Sequence, residues 1–540
     1  MGRADGFLVT VVFAVFVVAY GALSWAAGGL FVDTHEGDTY HLLDILSRLQ
    51  DGAVPHLDFV TPLGALAFWP VHWIIQTGQT TGAALILSQI AFAFCLLPFV
   101  AYAASTRLTR GVAIYFGLTT LGVVLALSYG TATAGVGISM HYNRWAWGVS
   151  FAMLLLALVP ARGPQRAVLD GILIGLLAAA LLLLKITYFA TLVPVAAIAL
   201  WQMHRARGLL SALIAGTLVV AAVTVMHGVS YWFGYLHDLR LVSSTDIRPS
   251  VGKSFDQIAA DPTHLGATLA GILTALILRR SAAGATGLAA LLLIPGFMFI
   301  TYQNFGNDPH WLVFLPVLIL AYRPTLDGAV FGFDAQKVAT VAAVSAFAVF
   351  FPSFANLALS PLSHLSLDKS GFQPMLPEGA GHDGIFIRQD RAYNMAAQVF
   401  RDQEPGPWAP YTQVLERAPL AEFQGVVFPE CNWLSGSKGY FETLGGDLAA
   451  AGLPEGSRLL NADLMAAFWF FAPVSPPEGS APWYYGRLTG LENTDYIMVP
   501  KCAFATPVRN IMLQEMAEAD VQFTLVRDND LMALFRVGGG

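Results

Sequence analysis

Apolar residues gather in runs of spanning or near-spanning length at about 7–29, 63–78, 83–104, 111–129, 144–160, 168–202, 209–226, 263–278, 285–302, 309–322 and 337–357. As a single helix the 168–202 run would reach roughly 50 Å, too long for a hydrocarbon core of ~30 Å, and Lys185 divides it into two crossings. The first run holds about 20 apolar residues, longer than a signal-peptide core, and reads as a transmembrane helix. Between the runs, short loops carrying Arg107 with Arg110, Arg162 with Arg166, Arg205 with Arg207, Arg279 with Arg280, and Arg323 with Lys337 alternate with connections poorer in paired basic residues. Basic loops stay in the cytoplasm, so the N-terminus is expected inside, residues 30–62 outside, and the chain after 357 outside. Only one net crossing then fits between 63 and 104, and the 63–78 run, with Pro70 and His72, is expected as a juxtamembrane or re-entrant helix. The pattern predicts an α-helical polytopic membrane protein of about 11 to 13 crossings.

Two regions break the apolar rhythm. In 32–64, Leu42, Ile45, Leu46 and Leu49 fall at i, i+3, i+4 and i+7, which predicts a short helix lying on the outer membrane surface. Asp38 is placed at its N-cap, Gly52 at its C-cap, Pro55 beyond, and Asp44, Arg48 and Asp51 on its wet face. After residue 357 the runs shorten: "GVVFP", "DYIMVP", "VQFTLVR" and "LMALFRV" read as strands, "RAYNMAAQVFRD" and "PVRNIMLQEMAEA" as helices. The chain thus divides into a membrane domain, 1–357, with its first outside loop at 30–62, and a small extracytoplasmic α/β domain, 358–540. No internal repeat is visible, which argues against an inverted-repeat transporter.

Composition strengthens the membrane assignment: 56% hydrophobic residues, 12% charged and a mean hydropathy of +0.59 are far from those of a soluble domain. The net charge of -7 comes without a basic stripe, so nucleic acid is not an expected partner. Cys95 lies in an apolar run, whereas Cys431 and Cys502 lie in the polar third and can pair if that part meets an oxidising compartment.

Candidate chemistry concentrates in 32–64, which holds six carboxylates and three histidines. Asp33, His35 and Glu36 sit where the first helix leaves the bilayer, a boundary at which acidic residues are favoured for function, and Asp38 is either the helix cap or a third carboxylate of that group. His141 and Arg144 begin a crossing, as an interfacial anchor or as cationic partners for an anion; Lys185 snorkels or serves function; Asp308 and His310 begin another, with Asp308 as an N-cap or a cavity residue. Tyr231, Trp232, His237 and Asp238 suit an aromatic belt or sugar stacking. No H-E-x-x-H or paired-cysteine motif is present, which leaves a divalent cation as a minor alternative and no assigned metal ligand.

The sequence "DTHEGDTYHLLDIL" followed by "GAVPHLDFVTPLGAL" resembles the first outside loop of GT-C superfamily glycosyltransferases, especially bacterial relatives of the protein O-mannosyltransferases and aminoarabinose transferases. Gly52, Pro55, Asp58, Phe59, Pro62 and Gly64 match a Gly-x-x-Pro-x-x-Asp-Phe-x-x-Pro-x-Gly-like segment of that family, and a lysine-containing helix break such as "LLLLKITYFATLVP" is common in it. The motifs cover the first 200 residues; the remainder is alike by architecture only. Where the relatives carry Asp-Glu-Gly, this chain reads His35-Glu36-Gly37, so the usual acidic pair is shifted or replaced. The resemblance implies an enzyme of the bacterial inner membrane that moves a sugar from a polyprenyl-phosphate donor to a glycan, lipid or protein acceptor on the outer side. It implies a general base among Asp33, Glu36 and Asp38, with Asp58, His141, Arg144, Lys185, Asp308 and His310 binding substrate. A transporter or flippase of a lipid-linked or polar solute, and a non-catalytic envelope assembly protein, are the alternatives.

Overall fold

The computed structural model describes residues 3–131, 135–203, 205–245, 254–280, 283–304, 306–330, 332–399 and 420–538. The chain forms two compact units.

The first unit comprises Met1–His35, Leu63–Trp232 and Arg248–Asp368. Among the described residues six of its helices are long and apolar enough to cross a membrane: Ala4–Trp25, Thr81–Arg107, Ala167–Leu184, Ala206–His227, Gly284–Gln303 and Ala335–Ser366. Arg110–Leu125 and Ile186–Gln202 are shorter apolar helices, and His141–Leu158 and Pro262–Arg279 have 18 residues each. Beyond its polar first turn, helix His141–Leu158 is apolar on every side except at Ser150 and is accordingly buried, with Trp145, Met153, Leu154, Leu155 and Leu156 fully enclosed.

Two runs do not become spans. The 63–78 run forms a 3-10 turn, Ala65–Ala67, and a helix, Trp69–Ile75, of 7 residues; at 1.5 Å per residue that helix covers only about 10 Å. The 309–322 run, expected as a crossing, is a 3-10 turn, His310–Val313, followed by the eight-residue helix Leu315–Tyr322. Pro316, in the first turn of that helix, has no N–H to bond back towards residue 312, so the helix cannot extend through it. The segment is packed inside the unit instead, with Trp311, Leu312 and Val317 fully buried.

The break at Lys185 falls where the sequence predicts it. One helix ends at Leu184, the next begins at Ile186, and Lys185 between them is extended, with φ -161° and ψ 116°.

The second unit comprises Glu36–Pro62, Phe233–Ile247 and Lys369–Gly540. This division differs from a cut at 357/358: helix Ala335–Ser366 continues past 357, while 36–62 and 233–247 join the C-terminal part. Its sheet is built from β1 (Ser457–Asn461), β2 (Val474–Ser475), β3 (Tyr496–Pro500), β4 (Gln522–Asp528) and β5 (Met532–Gly538), in the order β2-β1-β3-β5-β4. The pairs β2–β1 and β1–β3 are parallel; β3–β5 and β5–β4 are antiparallel. Every residue of β3 is buried, as expected for a central strand reading "YIMVP". Helix Thr506–Glu518 connects β3 to β4 and sets Val508, Met512, Leu513 and Met516 into one core with Ile497, Val499, Phe523 and Phe535. Cys431 and Cys502 form a disulfide.

Two expectations fail here. Within 391–399, the described part of the 391–402 stretch, the expected helix is not continuous: a short helix, Gln389–Tyr393, gives way to the strand Ala396–Val399, which pairs antiparallel with Cys431–Ser435, and 400–402 lie outside the described residues. Cross-strand pairing overrides the local preference of "AAQV". Helix Glu36–Gln50 does form, with Gly52 at φ +88° closing its end, but of its expected wet face only Asp51, just past the helix, is exposed. Asp44 is fully enclosed and Arg48 is 5% exposed.

Candidate functional site

In the membrane unit a small polar cavity opens beside the start of helix His141–Leu158. Its wall includes Tyr129, Asn143, Arg144, Asn304, Asn307, Asp308 and His310, and its volume is about 10 Å³, room for the centre of about one water. Met140, at the N-cap, holds the left-handed φ of +51° that turns the chain into this helix. Arg144, one turn in, is 2% exposed. Its Nη1 donates to the Ser139 carbonyl at 3.0 Å, while Nε and Nη2 have no hydrogen-bond partner. A buried guanidinium without a carboxylate at its free nitrogens is costly, and it is the kind of donor an anion satisfies.

The neighbours are held in place by one another. His310 Nδ1 lies 2.7 Å from the Asp308 carbonyl; since a carbonyl only accepts, Nδ1 bears the proton. His310 Nε2 has no partner. The Asp308 carboxylate accepts from the Ser353 hydroxyl. Asp308 is therefore not an N-cap; Pro309 occupies that position of the following 3-10 turn, with no side-chain cap bond. The Tyr129 hydroxyl donates to Asn307 Oδ1.

Lys185 stands behind this wall, not in it. From the helix break its Nζ donates to Asn304 Oδ1, and to Asn143 Oδ1 at 3.3 Å, and lies 5.4 Å from the Tyr142 ring centroid. Both asparagines line the cavity, so Lys185 orients their amides. His141 is elsewhere: its Nε2 pairs with the Ala67 carbonyl at 2.8 Å and its ring meets the edge of Trp145.

Asp33 follows the extended Leu30–Val32 and is stitched to the loop that carries Tyr129. Its N–H donates to the Val136 carbonyl at 3.0 Å, and its Oδ1 accepts from the Val136 N–H at 2.6 Å. His35, at φ +57°, places its ring 4.7 Å from that of Tyr129. The membrane unit thus brings Arg144, Asp308 and His310 into one cavity, Lys185 against two of its wall residues, and His35 against Tyr129.

The other candidates belong to the C-terminal unit. Glu36, the first residue of its helix, accepts from Arg391 Nε at 2.9 Å and from Nη2 at 2.9 and 2.7 Å. Asp38 lies inside the first helical turn and not at the N-cap expected for it; a carboxylate there still complements the helix dipole. Asp58 accepts the Val54 N–H at 2.7 Å and closes the 54–58 turn. Buried Asp238 accepts from the Thr61 N–H and pairs with His56 Nδ1 at 2.8 Å, while the His56 ring stacks on Tyr235. Asp238 is thus spent on fixing the His56 ring and the Thr61 N–H.

Tyr129 and Asn304 were missed by sequence reasoning. Asn304 lies inside the stretch "TYQNFGND", where an uncharged amide at a helix end gave no signal of its own. Among the described residues no group of three or more His, Cys, Asp or Glu could hold a metal ion.

No known family matches the chain by sequence, and no curated protein sequence matches it. Among solved structures it is similar to ArnT from Cupriavidus metallidurans, crystallised bound to undecaprenyl phosphate. The identity is 10%, covering 99% of this chain and 98% of that one, with a TM-score of 0.42. A score of that size does not establish a common fold.

Proposed function

We propose that the chain is an integral membrane glycosyltransferase that moves a sugar from a polyprenyl-phosphate donor to an acceptor hydroxyl at the outer membrane surface. The observation that carries this reading is the buried Arg144, two of whose guanidinium nitrogens are unpartnered beside a polar cavity. It is supported by the GT-C-like "GAVPHLDFVTPLG" segment of the sequence.

In this reading a carboxylate takes the acceptor hydroxyl proton as the oxygen attacks the anomeric carbon. The new glycosidic bond forms, the bond from that carbon to the phosphate oxygen breaks, and the lipid phosphate departs with both electrons. Arg144 stabilises the charge that develops on the departing oxygen, where a fixed donor is worth most. Lys185 positions Asn143 and Asn304 around that phosphate. His310 Nε2 is a further donor when the ring is protonated. Asp33, held by its Val136 contacts in the same unit as Arg144, is the carboxylate proposed as base, whereas both oxygens of Glu36 are engaged by Arg391. Asp58 and His141 are proposed to act only by holding the turn and helix start.

The test is complementation of a deletion strain by the full chain carrying Arg144→Gln, Arg144→Lys or Asp33→Asn, with lipid-linked sugars and envelope glycans quantified by mass spectrometry. Arg144→Gln is expected to slow transfer by about 10²- to 10³-fold and to accumulate the lipid-linked donor. Lysine restores charge without the guanidinium fork and recovers only part. If Arg144→Gln, present at wild-type abundance, left donor and glycan pools unchanged, the reading would fall.

A further inference from the structure

We propose that the membrane unit carries, away from the Arg144 cavity, a binding site for an anionic phospholipid, with the acyl chain in an apolar cleft and the phosphate at Arg166 and Arg207. The inference stands independently of the glycosyl-transfer reading.

Helices Ala167–Leu184, Ile186–Gln202 and Ala206–His227 enclose a cleft of about 260 Å³. Ile174, Ala178, Val193, Ala197 and Leu213 are among its walls, and Thr217 is its only polar side chain. Leu213 is 61% exposed, so the cleft opens sideways onto the surface that Leu210, Ile214 and Leu218 present to the bilayer. Such a void inside a membrane is filled by hydrocarbon, since water finds no polar partners there.

The cleft ends at a basic edge. The first and third helices touch through glycines: a Cβ on Gly175 would lie 2.2 Å from the Ala212 carbonyl oxygen, and one on Gly208 3.1 Å from that of Ala167. The second contact sets the start of helix Ala167–Leu184, just after Arg166, against the residue following Arg207. Leu209, two residues beyond Arg207, is itself a wall of the cleft. Arg166 and Arg207 are both exposed. Asp170, the carboxylate one turn beyond Arg166, is already bound by Arg107 at 2.7 Å and by the Tyr102 hydroxyl at 2.8 Å. An apolar slot whose two bounding helices begin together beside the exposed Arg166 and Arg207 complements a lipid with a single negative headgroup, and a zwitterionic lipid gains less from that end.

The test uses the full-length protein, exchanged into equimolar phosphatidylglycerol and phosphatidylcholine and examined by native mass spectrometry. Wild type is expected to retain phosphatidylglycerol over phosphatidylcholine by about thirtyfold, from two arginines near a membrane surface. The exposed double variant Arg166→Gln/Arg207→Gln brings the ratio to near one, and Ala197→Phe, which fills the cleft, removes both lipids. Equal retention of the two lipids by wild type, or an unchanged preference in the double variant, overturns the proposal. So does displacement of phosphatidylglycerol by an equimolar amount of undecaprenyl phosphate, which would assign the cleft to a polyprenyl chain.

Discussion

Asp44 and Arg48 pair at 2.9 Å inside the C-terminal unit, 0% and 5% exposed, so replacing Arg48 by methionine strands a carboxylate in an apolar interior. Arg48 also donates from Nη1 to the carbonyl and hydroxyl of Ser480 at 3.1 Å, and its guanidinium lies 5.3 Å from the Trp469 ring centroid and 5.7 Å from that of Phe59. Breaking a buried pair from one side costs about 3–5 kcal/mol. For a unit of this size that corresponds to a fall in melting temperature of roughly 6–20 °C. The loss depends on pH in a defined sense. Burial pushes the Asp44 carboxyl up to about 6, against the lowering by Arg48. An acid whose folded pKa is raised stabilises the fold fully below its unfolded pKa, and that contribution is lost as pH rises through the folded value. At neutral pH the loss is about 3 kcal/mol in wild type, and it grows when Arg48 no longer opposes it. Arg48→Met is therefore expected to be more damaging at pH 8 than at pH 5, whereas Asp44→Leu/Arg48→Met recovers most of the loss, because an apolar pair needs no compensation. Burial also raises Asp463, to about 6, a group common to variant and wild type, whereas His41, which burial and the Arg48 charge push down to about 4, enters the difference: losing Arg48 eases its protonation and relieves the fold at acid pH, in the same sense as Asp44. Thermal melts followed by tryptophan fluorescence, to which Trp469 contributes locally, measure this. An equal loss at both pH values, or a double variant as unstable as Arg48→Met, would refute the reasoning.

Two further outcomes are expected. Removing the Cys431–Cys502 bridge, which closes a loop with a sequence separation of 71, by Cys431→Ser/Cys502→Ser should destabilise the C-terminal unit by about 4 kcal/mol; chemical denaturation with and without reductant checks this, and curves that coincide would contradict it. Arg391→Ala should cost only ~0.2–1 kcal/mol despite its bidentate contact with Glu36, because the arginine is 42% exposed, and a melting shift beyond about 5 °C would show the pair to be structural.

The membrane class, the Lys185 break and the strands of the C-terminal sheet were legible because each is written in a local run of one period. What escaped depends on residues far away in sequence. The apolar stripe Leu42, Ile45, Leu46 and Leu49 correctly forecast a helix, but nothing local reveals that Ser480 and Trp469, more than 400 positions later, cover its polar side. Arg144 stood out because a charge in an apolar run is conspicuous. Tyr129 and Asn304 did not, since uncharged polar residues at segment ends are ordinary until the fold gathers them. The Asp308 cap failed for a geometric reason: Pro309 begins a 3-10 turn there, and the carboxylate turns to Ser353 instead.

The break at Lys185 has a second effect. It leaves the Leu184 carbonyl without a helical partner, and the Gly64 N–H fills the vacancy at 3.1 Å. A Cβ on Gly64 would lie 2.1 Å from the Leu183 carbonyl oxygen, so the joint closes only because residue 64 has none. The "TPLG" segment and the lysine break, two separate marks in the sequence, are mechanically one part. A side chain at residue 64 is expected to push the Leu183 backbone and with it the break that sets Lys185 against Asn143 and Asn304, so Gly64 bears on the cavity through the main chain without lining it.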